Sequence, residues 1–368
     1  GTRADYGLMR HTLATISAAP DLKLQLLVTG MHLDPKYGHT VDEIAEDKFE
    51  IAALVPTDVR ESSGKSMARA IGEMIVAFSE IMSINRPDIV LLLGDRGEML
   101  AGAIAAIHLN IPIAHIHGGE RSGTVDEPVR HAISKLSHFH FVATKEAHNR
   151  LSRMGENPEH IHVVGAPGID GIQALATWSR SQLTEELNLN PVLPIALMVF
   201  HPVLQEQVAG AANATTIIRQ LCAKGVQIVA LMPNADSGSD DIREILYKAS
   251  QSGEVKLVTH FPRNKFVSWM AAADLMIGNS SAGIIEAASF GTPVVNIGNR
   301  QNLRERNGNV IDAPAEPLAI AKAIGTALAI HRFEPHNTYG DGNAANRITN
   351  LLRTVSIGSD VMDKCCAY

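Results

Sequence analysis

Cysteine is scarce in this chain: of 368 residues only Cys222 and the adjacent Cys365 and Cys366 are cysteines. No CxxC occurs and no Cys/His spacing suits zinc, so a disulfide framework and a structural zinc module are both excluded. Long apolar runs are missing too. None approaches the roughly 20 residues of a membrane span, and no secretory signal opens the sequence, so the cytoplasm is the expected compartment with no membrane partner. A basic excess is also lacking. The 32 Lys and Arg against 39 Asp and Glu leave a net charge of −7, which argues against a broad nucleic-acid surface while allowing a local basic pocket for a small anion. Neither internal repeats nor low-complexity tracts occur.

What is present is an ordinary globular composition, 45% hydrophobic and 19% charged. The length predicts two domains, each large enough to bury a core. Short apolar runs bounded by Gly, Pro or Asp recur at Leu22–Gly30, Asp88–Asp95, Ile111–Gly119 and His140–Lys145. They lack polar alternation, as strands covered on both faces do. Helix-period segments, such as Ser66–Ile84 and Arg96–Leu109, lie between them. The pattern pauses around Gly165–Pro194 and restarts near Leu183 with five further apolar runs. Alternating βα units imply an α/β chain of two Rossmann-like, doubly wound parallel-sheet domains facing a cleft. We expect the boundaries at 1–176 and 177–345, with a final helix in 346–368 packing back on the first domain. Gly1–Gly7 reads as a loop that should follow a strand, and a start short of that strand is expected.

Several strand ends carry chemistry. Gly278-Asn279-Ser280-Ser281-Ala282-Gly283 follows an apolar strand and opens a helix, which suits an anion or plainly caps the helix. Glu286, about two turns on, either reaches ribose hydroxyls or lies on a solvated face. Asp95 and Arg96 end one strand. His115-Ile116-His117-Gly118-Gly119-Glu120-Arg121 ends another, followed by Asp126-Glu127 and Arg130-His131. Period-2 spacing would put His115 and His117 on one strand face, but no carboxylate completes a metal site there. His201, Asn234 and Arg300 occupy the ends of later strands. Ser63–Ser66 (SGKS) resembles a P-loop, yet the first glycine that motif requires would fall at Val59. No GxGxxG follows a strand and no GxSxG elbow occurs.

Together the segments Gly1–Gly7, Val28–Thr40, Gly94–Ala103, His115–His138, Phe200–Val203, Gly278–Ala287, Gly291–Gln301 and Tyr339–Ile348 resemble the UDP-N-acetylglucosamine 2-epimerase family. SGTVDE followed by RH, and RADYG at the start, point to its hydrolysing branch, of sialic or legionaminic acid synthesis. The resemblance implies a glycosyltransferase-B-like fold with UDP held mainly by the second domain and no cofactor or metal. It implies that Ser280, Ser281 and Gly283 take the diphosphate, that Arg3 reaches it, and that Glu286 binds ribose. His201, Asn234 and Arg300 would complete the nucleotide pocket, and Asp95, Arg96, Asp126 and the His117–Glu120 segment would face the sugar. Where relatives carry Glu this chain has His117, so either His117 or Glu120 takes that acid/base role. Relatives are dimers or tetramers, so a homo-oligomer is expected.

That family's chemistry requires elimination. The C2 proton of an N-acetylhexosamine is not acidic until the anomeric C–O bond begins to break and UDP departs. Removing it gives a 2-acetamidoglycal; water at C1 and a proton at C2 from the opposite face then yield UDP and free N-acetylmannosamine. Two acid/base groups are needed, and Asp95 and Asp126 are the expected pair. UDP-N,N′-diacetylbacillosamine is the alternative substrate, followed by non-hydrolysing epimerisation and sugar transfer to an acceptor.

Overall fold

The structure is a computed structural model. It describes every residue except 58–62, 124, 204–206, 235 and 368, together with all side chains but those of 3, 207, 208, 359 and 360 as well. Two compact units emerge. One comprises Gly1–Arg121, Val125–Asp170 and Tyr339–Tyr368, the other Ser122–Thr124 and Gly171–Thr338.

The first unit holds two parallel sheets. Strands β1 (Leu26–Thr29) and β2 (Ile51–Val55) pair with each other, and β3 (Val90–Leu93), β4 (Ile113–Ile116), β5 (Phe139–Val142) and β6 (Ile161–Val163) form a sheet in that order. All of β4 and β5 is buried, because apolar clusters cover both faces. Leu93, Ala114, Ile116 and Phe141 pack with Tyr6, Met9 and Leu13 of helix Arg3–Ala18 and with Ile348 of helix Ala344–Thr354. Leu92 and Ile113 point the other way, onto Met74 and Phe78 of helix Gly64–Ile84 and Ala101 and Ala105 of helix Gly97–His108. Odd and even positions of β4 thus feed opposite cores, the period of two that a strand imposes. The Asp170 carboxylate accepts the backbone N–H groups of Ala344 (3.1 Å) and Ala345 (2.5 Å), satisfying orphan donors at the start of the last long helix.

The second unit carries one six-stranded parallel sheet. Its strands are β7 (Ile195–Val199), β8 (Gln227–Leu231), β9 (Val255–Val258), β10 (Leu275–Gly278), β11 (Val294–Ile297) and β12 (Val310–Ala313). Their spatial order is β12-β11-β10-β7-β8-β9. The chain winds outward from β7 to β9, crosses back to β10 and winds outward again to β12. The order reverses between β7 and β10, and crevices at the carboxyl ends of strands at such a reversal are where open α/β sheets bind ligands.

The apolar runs overshoot the strands they contain: Leu22–Gly30 yields only Leu26–Thr29, and Ile111–Gly119 only Ile113–Ile116. SGKS is a capping box: Ser63 accepts the N–H of Ser66 at 3.1 Å and the Ser66 hydroxyl accepts that of Ser63, opening helix Gly64–Ile84.

Candidate functional site

In the first unit the acid/base residues gather where β3 and β4 end. β3 turns at Gly94, whose φ of +78° is left-handed, and presents Asp95. The Asp95 carboxylate forms an ion pair with Arg130, whose side chain is 0% exposed. Arg130 sits on helix Asp126–Leu136 and also donates from Nη1 to the Glu120 carbonyl at 2.9 Å. Asp126, four residues earlier on the same helix, lies on the same face as Arg130.

His115 does not share a strand face with His117. β4 stops at Ile116, and His117 has φ +63°, with its N–H bonded to the Phe141 carbonyl at 3.1 Å. The left-handed turn breaks the alternation, so the expected pair of histidines on one face is corrected. His115 is built into the fold instead: Nε2 lies 2.7 Å from the Gly94 carbonyl and Nδ1 lies 3.0 Å from the Ser134 hydroxyl. Bonding to a carbonyl puts the proton on Nε2. Burial pushes its pKa down to about 3, overriding the favourable Gly94 carbonyl and holding the ring neutral.

His117 and Glu120, weighed as alternatives in the sequence, are hydrogen-bonded to each other through Nδ1 and Oε1, and both are buried. A non-glycine residue in the left-handed region costs on the order of 1–3 kcal/mol and persists where its surroundings demand it. Here the turn brings the imidazole to the carboxylate three residues later. Gly119 is the glycine this turn requires: at φ +76°, a Cβ would sit 2.6 Å from the Ala147 carbonyl oxygen.

The N-terminal motif joins the same end of this unit. Thr2 caps helix Arg3–Ala18 in a capping box with Asp5. A Cβ on Gly1 would lie 2.8 Å from Glu98 Oε1, and one on Gly30, just past β1, would lie 2.9 Å from the Gly1 carbonyl oxygen. The Arg3 side chain lies outside the described residues. Arg96 precedes helix Gly97–His108, its Nε 3.9 Å from Glu98 Oε2.

In the second unit His201, Asn279, Ser280 and Arg300 gather at the reversal between β7 and β10. Asn279, 2% exposed, clamps the backbone of His201: its Oδ1 accepts the His201 N–H and its Nδ2 donates to the His201 carbonyl, both at 2.8 Å. This joins the ends of β10 and β7. Gly278 permits the approach, for at φ +138° a Cβ would fall 2.1 Å from the Val199 carbonyl oxygen. Arg300 Nη1 (3.1 Å) and Gln301 Nε2 (3.2 Å) both donate to the Asn279 carbonyl. The Asn234 N–H points at His201 Nδ1 (3.4 Å), and the Asn234 side chain donates to Asp236 at 2.6 Å. Ser280 caps the short helix Ser281–Ile285. A pocket at this point is lined by Phe200, His201, Asn213, Asn279, Gly298 and Asn299 among others.

Two motif residues do work that the sequence did not indicate. Gly283 is buried against β11, where a Cβ would meet Val294 Cγ1 at 2.9 Å, so it sets close helix–strand packing. Glu286 follows a single five-residue helix, is 3% exposed, and pairs with Arg263 Nη1 at 2.5 Å. The solvated-face alternative is therefore excluded. Arg263, also buried, escaped the sequence reading; its signal is a basic residue directly after Pro262 at the end of β9. Arg130, quoted with its motif but given no role, is the other omission.

Comparison with known proteins places the chain in a family. A family profile described as UDP-N-acetylglucosamine 2-epimerase matches residues 14–353. The chain is 49% identical over 368 residues to the "UDP-N,N′-diacetylbacillosamine 2-epimerase (hydrolyzing)" of Legionella pneumophila, covering 100% of this chain and 98% of that protein. It is 36% identical to a UDP-N-acetylglucosamine 2-epimerase of Neisseria meningitidis, covering 97% and 93%. Among solved structures, the Neisseria meningitidis UDP-GlcNAc 2-epimerase bound to UDP-GlcNAc superposes with a TM-score of 0.81 at 19% identity, covering 96% of this chain and 98% of that one. The expected α/β class, with parallel sheets in two units of the glycosyltransferase-B-like type, is what this chain and that neighbour have in common. With the profile spanning most of its length and its relatives aligned end to end, the chain belongs to the UDP-N-acetylglucosamine 2-epimerase family, in the hydrolysing branch.

Proposed function

We propose that this enzyme cleaves a UDP-linked 2-acetamido sugar to UDP and the free sugar inverted at C2. The observation that carries the reading is the concentration of Asp95, His117 and Glu120, linked through Arg130, at the ends of two adjacent parallel strands. Acyl or phosphoryl transfer does not call for so many proton-transfer groups; shifting a proton between the faces of a ring carbon does. In the first half-reaction the anomeric C–O bond breaks, UDP leaves with the electron pair, and a carboxylate takes the C2 proton to give the glycal. In the second, water adds through its oxygen to C1 and gives up a proton to a neighbouring base, while a second acid delivers a proton to C2 from the other face. Asp95 and Asp126 act as the principal pair, with His117 and Glu120 as a coupled donor beside them and Arg96 at the sugar. In the second unit, Ser280 and Ser281 offer their hydroxyls to the diphosphate, while Gly283, whose N–H is bonded to the Ser280 carbonyl at 3.2 Å, lets the helix that carries them pack closely on β11. His201, Asn234, Glu286 and Arg300 complete nucleotide binding, and Arg3 is a further candidate for it by its motif.

The 49% identity over the full chain favours a UDP-N,N′-diacetylbacillosamine-type sugar, as in legionaminic acid synthesis. UDP-N-acetylglucosamine, giving N-acetylmannosamine for sialic acid synthesis, is the second reading, supported by the 36% relative. Neither needs a metal or cofactor. No helix among the described residues is long and apolar enough to cross a membrane. A cytoplasmic homo-oligomer, dimer or tetramer, is part of the proposal on the family resemblance alone. Incubation with each UDP-sugar, followed by NMR, tests the reading. UDP and free 2-epimer should appear in equal amounts. A product still carrying UDP would move the enzyme to the non-hydrolysing branch, and turnover that depends on an acceptor would make it a glycosyltransferase.

A further inference from the structure

Arg130 is a fully buried cation beside the end of β3, and a guanidinium, always protonated, has no proton-transfer task in the elimination. Its two Nη atoms hold the Asp95 carboxylate and the Glu120 carbonyl. The Ser134 hydroxyl lies 3.1 Å from the Arg130 carbonyl and 3.0 Å from His115 Nδ1, both acceptors for its one proton, and His115 Nε2 in turn donates to the Gly94 carbonyl. Asp95 is thereby fixed twice, through its side chain and through the peptide before it. A buried guanidinium is tolerated only beside an ionised partner, since leaving it uncompensated costs several kcal/mol.

We infer that Arg130 is a positioning residue that keeps Asp95 ionised and aimed, and couples it mechanically to the His117–Glu120 pair. This rests on the epimerase reading and assigns Asp95 the role of base, the group that must be a carboxylate when substrate arrives. The other ionisable groups of the elements around Asp95 are His115 on β4, Arg96 and Glu98 at the start of helix Gly97–His108, His117 and Glu120 in the turn after β4, and Asp126 and Glu127 on the helix that carries Arg130. His115 stays neutral under burial, and Arg130 is a cation in direct contact with the carboxylate.

The test compares Arg130→Lys, Arg130→Gln, Asp95→Asn and the double variant Asp95→Asn/Arg130→Gln. Arg130→Gln should lower kcat by about 10²-fold or more, with KM within about threefold. The acid limb of its pH profile should move up by about 1–3 pH units, because the cation favouring the charged carboxylate is gone. Arg130→Lys should recover at least a tenth of the lost rate. In the Asp95→Asn background, Arg130→Gln should cost less than about threefold, the non-additivity expected of residues that act as a unit. An additive loss, an unmoved acid limb, or a rise in KM with kcat unchanged would overturn the inference. Carboxyl ¹³C NMR gives a readout independent of turnover: the Asp95 protonation midpoint should rise in Arg130→Gln, and no rise overturns the inference even if neither UDP-sugar is processed. Wild-type enzyme that releases no UDP would instead refute the functional reading, so the two failures are distinct.

Discussion

Glu156→Gln should unlatch the C-terminal tail from the first unit. The Glu156 carboxylate, 1% exposed, accepts from His140 Nε2 at 2.9 Å and pairs with Lys135 Nζ at 2.7 Å and Lys364 Nζ at 2.6 Å. Lys364 also donates to the Ser134 and Lys135 carbonyls at 3.1 and 2.9 Å. Burial alone would raise the carboxyl's pKa, but hydrogen bonds from His140, Lys135 and Lys364 outweigh it and hold it at about 2 instead of 4.5. At about 1.4 kcal/mol per pH unit, that difference is worth about 3 kcal/mol of stability at neutral pH. The sign follows from a depressed folded value: the contribution is complete above the unfolded value of 4.5 and is lost as pH falls toward 2. Glutamine keeps the shape and removes the charge. Its melting temperature at pH 7 should therefore fall by about 6–12 °C, and the deficit relative to wild type should shrink to under half by about pH 3. Differential scanning calorimetry at both pH values measures this. A melting temperature within about one degree of wild type, or a deficit independent of pH, would refute the reasoning.

Three further outcomes are expected. Asp95→Asn and Asp126→Asn should each reduce turnover by about 10²–10⁴-fold while leaving UDP affinity, measured by calorimetric titration, within about twofold. Ser281→Ala should act in the opposite way, weakening UDP about tenfold with a smaller effect on turnover, as loss of one hydrogen bond to a charged group does. His115 should show no titration of its ring signals between about pH 5 and pH 8 in NMR, because its pKa lies near 3.

The sheet layers were legible because strands covered on both faces read as near-continuous apolar runs: IALMV is one and is buried throughout, VLLL is buried in its second half, and IAHI is broken only by His115. Strand ends were less so, since burial continues past the ends of the strand: Ile111 and Pro112, before β4, are as buried as β4 itself. The positions of Asp95, His201 and Ser280 after strands could be read from local sequence. What could not be read are contacts set by tertiary proximity. The Arg263–Glu286 pair joins residues 23 positions apart, Arg130 meets Asp95 across 35, and Glu156 meets Lys364 across more than 200. The expectation that His117 shares a strand face with His115 failed for a local reason, a left-handed turn on a residue that is not glycine. Two turns of helix before Glu286 were expected because the apolar pattern runs on, but that helix ends after five residues.

The account turns on proton exchange at the carbon beside the anomeric centre. Turnover of the UDP-sugar in deuterated water, followed by ¹H NMR of the released sugar, measures that directly. The account predicts one solvent deuteron at C2 in every product molecule, with the configuration at that carbon inverted. A released sugar that retains its original hydrogen at C2 would contradict it.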